Sequence, residues 1–472
     1  MVSYMTAAEN KALNYAYIGV QFVAFVSFVW MFFFNGTVEN AILFLPIVFF
    51  IVNLIFIANY LQQKVHLVKL LVFILYFVRL VLLPILYCAS GETRLFEGNV
   101  FSSSDSLQKA FYLMAYEYFV VQFVIFLHDR FEFKRNKLKP KMLRQVGYNF
   151  FPTVLFCMTV FAISVYAFVP EVRESFKNIL MLNEEDFTIS VYQASSEEVG
   201  SLRRIIATLF SVVFVMLRIL LPSFVLVWAK KKGKSGLLIL LISVILQFAF
   251  ITATFAQSMV AAFTLILLYG HLYPEKKKLL YSLIFVSSIG IISLYFGVRY
   301  FAVIGRYNDG TNFITYVARI VSAYFTGIEN VAGCLQLKNG LEFETAMSDF
   351  IGAIPFNTTI FGGWKGTRFQ TYFNLINDSN GQIPPAIGAG YYHFGWILSP
   401  IYVILMLKLS LTYWDKAQTD TNPWRYAVNA FCSVVFSLGL VMYNEAIAFS
   451  WYFGWGLLML LALKFTNKDE FS

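Results

Sequence analysis

Two proton carriers and five cations are the residues of this chain best suited to chemistry. Glu445 stands beside Tyr443 and Asn444, and His393 falls where a long polar stretch meets an apolar run. Arg299 and Arg306 directly follow another apolar run. Arg319 lies in a helix-spaced segment, and Lys365 and Arg368 come just after the turn Gly362-Gly363-Trp364. Guanidinium groups grip phosphate oxygens in bidentate fashion and stay charged. A carboxylate or imidazole within reach of a hydroxyl can take its proton. Together they point to group transfer from a phosphate-bearing donor. The cations neutralise the leaving group, Glu445 or His393 serves as base, and Trp364 offers a platform for sugar rings. Against this stand the ordinary readings, in which a lone arginine is solvated and an interfacial Glu or His merely faces water.

The elements that must position these residues follow from composition. Of 472 residues, 59% are hydrophobic and 13% charged, against about 25% charged in average soluble domains. Apolar stretches of membrane-spanning length, about 20 residues, recur throughout. They predict an all-α polytopic membrane protein of about twelve spans. The expected spans are Tyr15–Phe34, Ala41–Leu61, Leu67–Cys88, Ala110–His128, Val146–Val169, Ile205–Trp228, Leu237–Thr254, Gln257–Leu272, Leu279–Gly297, His393–Thr412, Tyr426–Tyr443 and Ala446–Phe465. The seventh and eighth are separated at the polar stretch 252–258. The first run is of full spanning length and lacks a small-residue cleavage site, so it reads as a retained helix.

Lysine and arginine in short loops set the orientation. Arg130–Arg144 carries seven basic residues, Lys230–Lys234 four and Lys276–Lys278 three. All three loops share one face only if both termini are cytoplasmic. The net charge of +9 is thereby explained without a nucleic-acid partner. Residues 1–297 then hold spans one to nine, 298–392 form a large extracytoplasmic loop, and 393–472 hold the last three spans and a tail.

Within the loop, Phe313, Val317, Ile320, Val321, Tyr324, Phe325, Ile328, Val331 and Leu335 recur at helical spacing, with Arg319, Ser322, Thr326 and Glu329 as a polar stripe. One helix lying on the membrane is expected, its stripe facing a groove. Ile354-Pro355-Phe356-Asn357, Ile383-Pro384-Pro385 and Gly388-Ala389-Gly390 predict irregular turns. Arg79 and Glu117 fall in the outer halves of neighbouring spans and can pair, whereas Arg218 lies mid-span without an evident partner. A G-x-x-x-x-G-K-[ST] run is missing, as are D-x-D, H-E-x-x-H and any histidine cluster in sequence. Neither ATP hydrolysis nor metal or cofactor chemistry is therefore expected. The four cysteines lack zinc spacing.

A resemblance narrows this. Ile383-Pro384-Pro385-Ala386-Ile387-Gly388 followed by Tyr391 and Phe394-Gly395-Trp396, together with Arg299-Tyr300-Phe301-Ala302-Val303-Ile304-Gly305-Arg306-Tyr307, resembles the Wzy-type polymerases of bacterial surface polysaccharide, relatives of the O-antigen ligases. The resemblance is diffuse and covers about residues 237–465. It implies a glycosyltransferase-C-like fold in the bacterial cytoplasmic membrane. It also implies a metal-independent enzyme that joins undecaprenyl-diphosphate-linked oligosaccharide repeats into O-antigen, capsule or related polymer on the outer face. Arg299 and Arg306, and less directly Arg319, take the role of diphosphate-gripping arginines, and Tyr391 joins the substrate-binding set. The partners implied are the lipid-linked oligosaccharide and membrane lipid, with room for a chain-length regulator protein. The chain departs from the family at Gln257 and Ser258, where many members carry an arginine. It departs again at Ala389, where many carry a glutamate. A ligase moving finished glycan and a lipid or polysaccharide flippase remain the alternatives.

Overall fold

The computed structural model describes residues 7–34, 38–61, 66–91, 103–135, 151–169, 201–249, 255–276, 313–337, 343–355, 357, 368–379, 382–420 and 422–466. Among the described residues all regular structure is helical. In chain order the main helices are α1 (Ala7–Phe34), α2 (Leu45–Ile55), α3 (Leu67–Ser90), α4 (Ser104–Arg135), α5 (Phe151–Phe168), α6 (Ser201–Lys231), α7 (Leu237–Ala249) and α8 (Phe255–Leu272). There follow α9 (Phe313–Tyr324), α10 (Ile328–Gln336), α11 (Phe343–Gly352), α12 (Phe369–Ile376), α13 (Ala386–Leu398), α14 (Ile401–Thr419), α15 (Pro423–Gly439) and α16 (Glu445–Lys464). Among the described residues, five stretches are long and apolar enough to cross a membrane: Asn14–Phe33, Leu67–Ser90, Ser104–Phe131, Leu209–Lys231 and Glu445–Lys464. The bent pair α13–α14 makes a sixth if counted as one span.

At the centre stands α15. Apolar residues surround it on every side, and a helix of that kind is stable only when enclosed. Its neighbours α14, α8, α3, α6 and α16 enclose it, leaving Ala427, Val428, Ala430 and Phe436 buried. Its start is fixed locally. Pro423 occupies the first turn, and the Asn422 side chain accepts the Trp424 amide. The next helix, α16, begins the same way, with Asn444 accepting the amide of Ile447.

Helix α3 contains a π-turn at Val78–Leu82. The extra residue in that turn rotates the helix face and aims Arg79 inward. The Arg79 guanidinium meets Glu117 of α4 at 2.9 and 3.0 Å, as expected from the sequence, and donates through Nε to the Thr326 carbonyl at 3.0 Å. Tyr76 adds a third bond to Glu117 at 2.8 Å. Arg218 has partners after all: it donates to the Gln247 side chain and carbonyl and to the Ser258 hydroxyl, at 2.7–2.9 Å. Those partners lie on α7 and α8, so the separation of the seventh and eighth segments is seen as two helices.

Four expectations change. The second segment is divided into Asn40–Leu43, Leu45–Ile55 and Ala58–Leu61. The helix expected over the loop is two helices, α9 and α10, broken at Thr326, whose φ of 43° no α-helix tolerates, and at Gly327. Its polar stripe faces inward. Ser322, Thr326 and Glu329 are buried, with Glu329 bonded to Tyr87 at 2.7 Å and Thr326 Oγ1 to the Val441 carbonyl at 2.7 Å. The tenth segment does not begin at His393. Helices α13 and α14 meet at 107°, because Gly395 takes φ 74° and Pro400 cannot extend a helix backwards. Finally, Gly388-Ala389-Gly390 is helical, not a turn. A methyl on Gly388 would reach Cys334 Sγ of α10 at 2.5 Å, and one on Gly390 would overlap the Ser399 carbonyl. These glycines permit close packing. The ninth segment, Leu279–Gly297, lies outside the described residues.

Candidate functional site

Two of the predicted proton carriers come together, and a third joins them. Glu445 opens α16, His393 lies on α13 just before the bend, and Asp349 lies on α11. Each presents a donor atom, and the three atoms lie within 4.8 Å of one another. All three side chains are buried, at 2–3% exposure. The bend is what allows this: it turns His393 back across the start of α14, where its Nδ1 lies 3.0 Å from the Tyr402 hydroxyl. Its Nε2 is then directed at Asp349 Oδ2, 3.9 Å away, beyond hydrogen-bond range.

Asp349 divides its two oxygens. Oδ1 accepts the amide of Phe369, the first residue of α12, at 3.0 Å. Arg368 at the cap position of α12 makes no side-chain cap bond, so Asp349 satisfies an otherwise orphaned amide from a distance. Its Oδ2, and both Glu445 oxygens, have no hydrogen-bond partner among the described residues. Unpaired buried carboxylate is expensive. Burial accordingly pushes the Asp349 carboxyl up to about 7, against the lowering effects of the Phe369 amide and the Arg368 charge. Glu445 shares the cluster with it, so the pair is suited to hold one proton between two carboxyl groups. Phe369 and Tyr392 wall the site, their rings tilted with centroids 4.8 Å apart, and Phe369 meets the His393 ring edge-on.

Among the described residues, Arg368 is the predicted cation that the fold brings to this cluster. It is exposed, its charge reaches Asp349, and it donates to the Gly352 carbonyl at the end of α11. Arg319 is half-buried on α9. Tyr391 is half-buried on α13 and turns to Trp396 rather than to the cluster, where its neighbour Tyr392 sits instead. Arg299, Arg306, Trp364 and Lys365 lie outside the described residues. Asp349 and Tyr402 were not singled out from sequence. An acid in a short amphipathic helix reads as solvated, and the only hint was its apolar company, Phe350 and Ile351.

The donor set of Asp349, His393 and Glu445 suits either a shared proton or a divalent metal ion. A second set, His66, His128 and Asp415, brings three donor atoms together at the other end of α14. From Ile401 to Asp415 the helix rises about 21 Å. No protein-family model matches the chain, and neither a curated protein nor a solved structure does.

Proposed function

We propose that the chain is a polysaccharide polymerase of about twelve spans, both termini cytoplasmic. It would transfer a growing glycan from undecaprenyl diphosphate to the next lipid-linked repeat unit at the outer membrane face. The observation that carries this reading is the buried Asp349–His393–Glu445 cluster with Arg368 beside it. In the reaction, the acceptor hydroxyl oxygen attacks the anomeric carbon as the bond to the diphosphate oxygen breaks. The hydroxyl proton passes to the ionised member of the Asp349–Glu445 pair, and the diphosphate departs on its lipid. Arg368, with Arg299, Arg306, Arg319 and Lys365, neutralises the charge that grows on it. His393, fixed by Tyr402, lies where it can relay the proton between acids. A carboxyl titrating near 7 is suited to base work at neutral pH, and no step here needs a metal.

The flippase alternative needs mobile charges along a path. Arg79, Glu117 and Arg218 are instead buried and tied by several bonds each, which favours an enzyme. A ligase would use the same site chemistry with a different acceptor.

The test is complementation of a deletion strain with Arg299→Ala and Arg306→Ala, reading polymer length on a gel with membrane protein level checked. Single repeats with normal protein level are the expected result. Normal polymer length from the deletion itself would refute the proposal, and long polymer retained on the carrier would favour the ligase.

A further inference from the structure

We propose that His66, His128 and Asp415 form a binding site for a divalent transition-metal ion of the zinc type, at the end of the bundle away from the acid cluster. The site is independent of the polymerase reading.

The three residues come from three helices. His66 caps the start of α3, His128 lies near the end of α4, and Asp415 lies near the end of α14. Both imidazoles turn Nε2 toward one carboxylate, His66 at 3.3 Å from Oδ1 and His128 at 3.1 Å from Oδ2. Two ligands each about 2.0–2.1 Å from a tetrahedral zinc ion stand about 3.3 Å apart. Each imidazole thus already stands at that spacing from one Asp415 oxygen, and the three donor atoms lie within 4.8 Å of one another. Imidazole with carboxylate selects zinc, nickel, copper or iron over magnesium and calcium.

Charge and access agree. Lys69, early in α3, is bonded to Asp129 at 2.5 Å, so a carboxylate offsets its positive charge near the site. The three side chains keep 17–28% exposure, so water can fill a fourth position and an ion can enter. The alternative arrangement, in which each imidazole N–H simply donates to Asp415, needs no ion and is what the experiment must separate.

Full-length protein in detergent is titrated with zinc against a chromogenic chelator, in a Cys157→Ser background because Cys157 is an exposed thiol. Bound zinc is counted after desalting, and thermal midpoints are recorded with and without zinc. One ion per chain is expected, with the midpoint raised by zinc. His128→Gln should weaken binding by at least about tenfold and abolish the thermal shift. Asp415→Asn, which keeps the side-chain shape, serves if His128→Gln does not fold. Failure of the parent to hold zinc overturns the proposal. Binding that survives both variants but is lost in His393→Gln also overturns it, by assigning the ion to the acid cluster.

Discussion

The Tyr402 hydroxyl lies 3.0 Å from His393 Nδ1 across a 107° bend between the helices that carry them. That bond fixes which imidazole edge faces Asp349. Tyr402→Phe removes it while keeping the ring. One neutral hydrogen bond is worth about 0.5–1.5 kcal/mol, so turnover should fall about 2- to 10-fold with KM unchanged. A purely structural tyrosine would lower protein abundance without altering the pH profile of the remaining activity. A positioning tyrosine alters the profile, and that measurement separates the two.

Asp349 and Glu445 should titrate as a unit. Since the accepting carboxyl must be ionised, polymerisation should rise as pH increases through about 7. Asp349→Asn and Glu445→Gln should each lower turnover by about 10²–10⁴-fold, with Asp349→Asn abolishing the rising limb. Stability runs the other way. Folding raises the Asp349 carboxyl above its ordinary 3.8, so its contribution is complete below that value and is lost as pH climbs through about 7. Thermal midpoints across pH 4–8 should decline in the parent and flatten in Asp349→Asn. A rate profile that is flat across pH 5–8 would sink the role given to this pair.

How far the sequence disclosed this depends on the kind of feature. Arg79 and Glu117 were legible because opposite charges in neighbouring spans have few other solutions. Glu445 and His393 were legible as rare proton carriers at span ends. Arg218 was not, since its partners Gln247 and Ser258 are uncharged and lie on separate helices. The bend at Gly395 escaped because hydropathy averages across a window that still contains Phe394, Trp396, Ile397 and Leu398. Missing the bend also hid the cluster, since a straight span would carry His393 away from Asp349. The break at Thr326 escaped for a related reason: helical periodicity resumes in phase after the interruption.

The glycines of α13 make a prediction about packing. Gly390→Ala places a methyl against the Ser399 carbonyl, and backbone there cannot step aside cheaply. Overpacking of this kind costs about 1–3 kcal/mol, and the bend that presents His393 should open with it. Gly19→Ala is the control, because nothing lies within 4 Å of the added carbon, and helix propensity favours the change. Gly390→Ala should lower both the thermal midpoint in detergent and the polymer yield, while Gly19→Ala leaves both intact. Equal behaviour of the two variants would mean that the α13–Ser399 contact does not set the site.

Arg79 and Glu117 are fully buried, and each depends on the other. Removing one charge strands its partner, at a cost of about 3–5 kcal/mol. Glu117→Leu alone should therefore lower the thermal midpoint sharply, as should Arg79→Met alone. The double variant should recover most of the loss, because an apolar pair of similar volume needs no counter-charge. Recovery should be incomplete, since Arg79 Nε also satisfies the Thr326 carbonyl. That carbonyl, left without a donor, costs about 1–3 kcal/mol. The residue of the loss should appear locally, as faster amide exchange around Gly327 at the α9–α10 junction. Single variants as stable as the parent would mean that the ion pair does not anchor this junction. A double variant no better than either single one would mean that the π-turn geometry, rather than charge balance, is what the pair supplies.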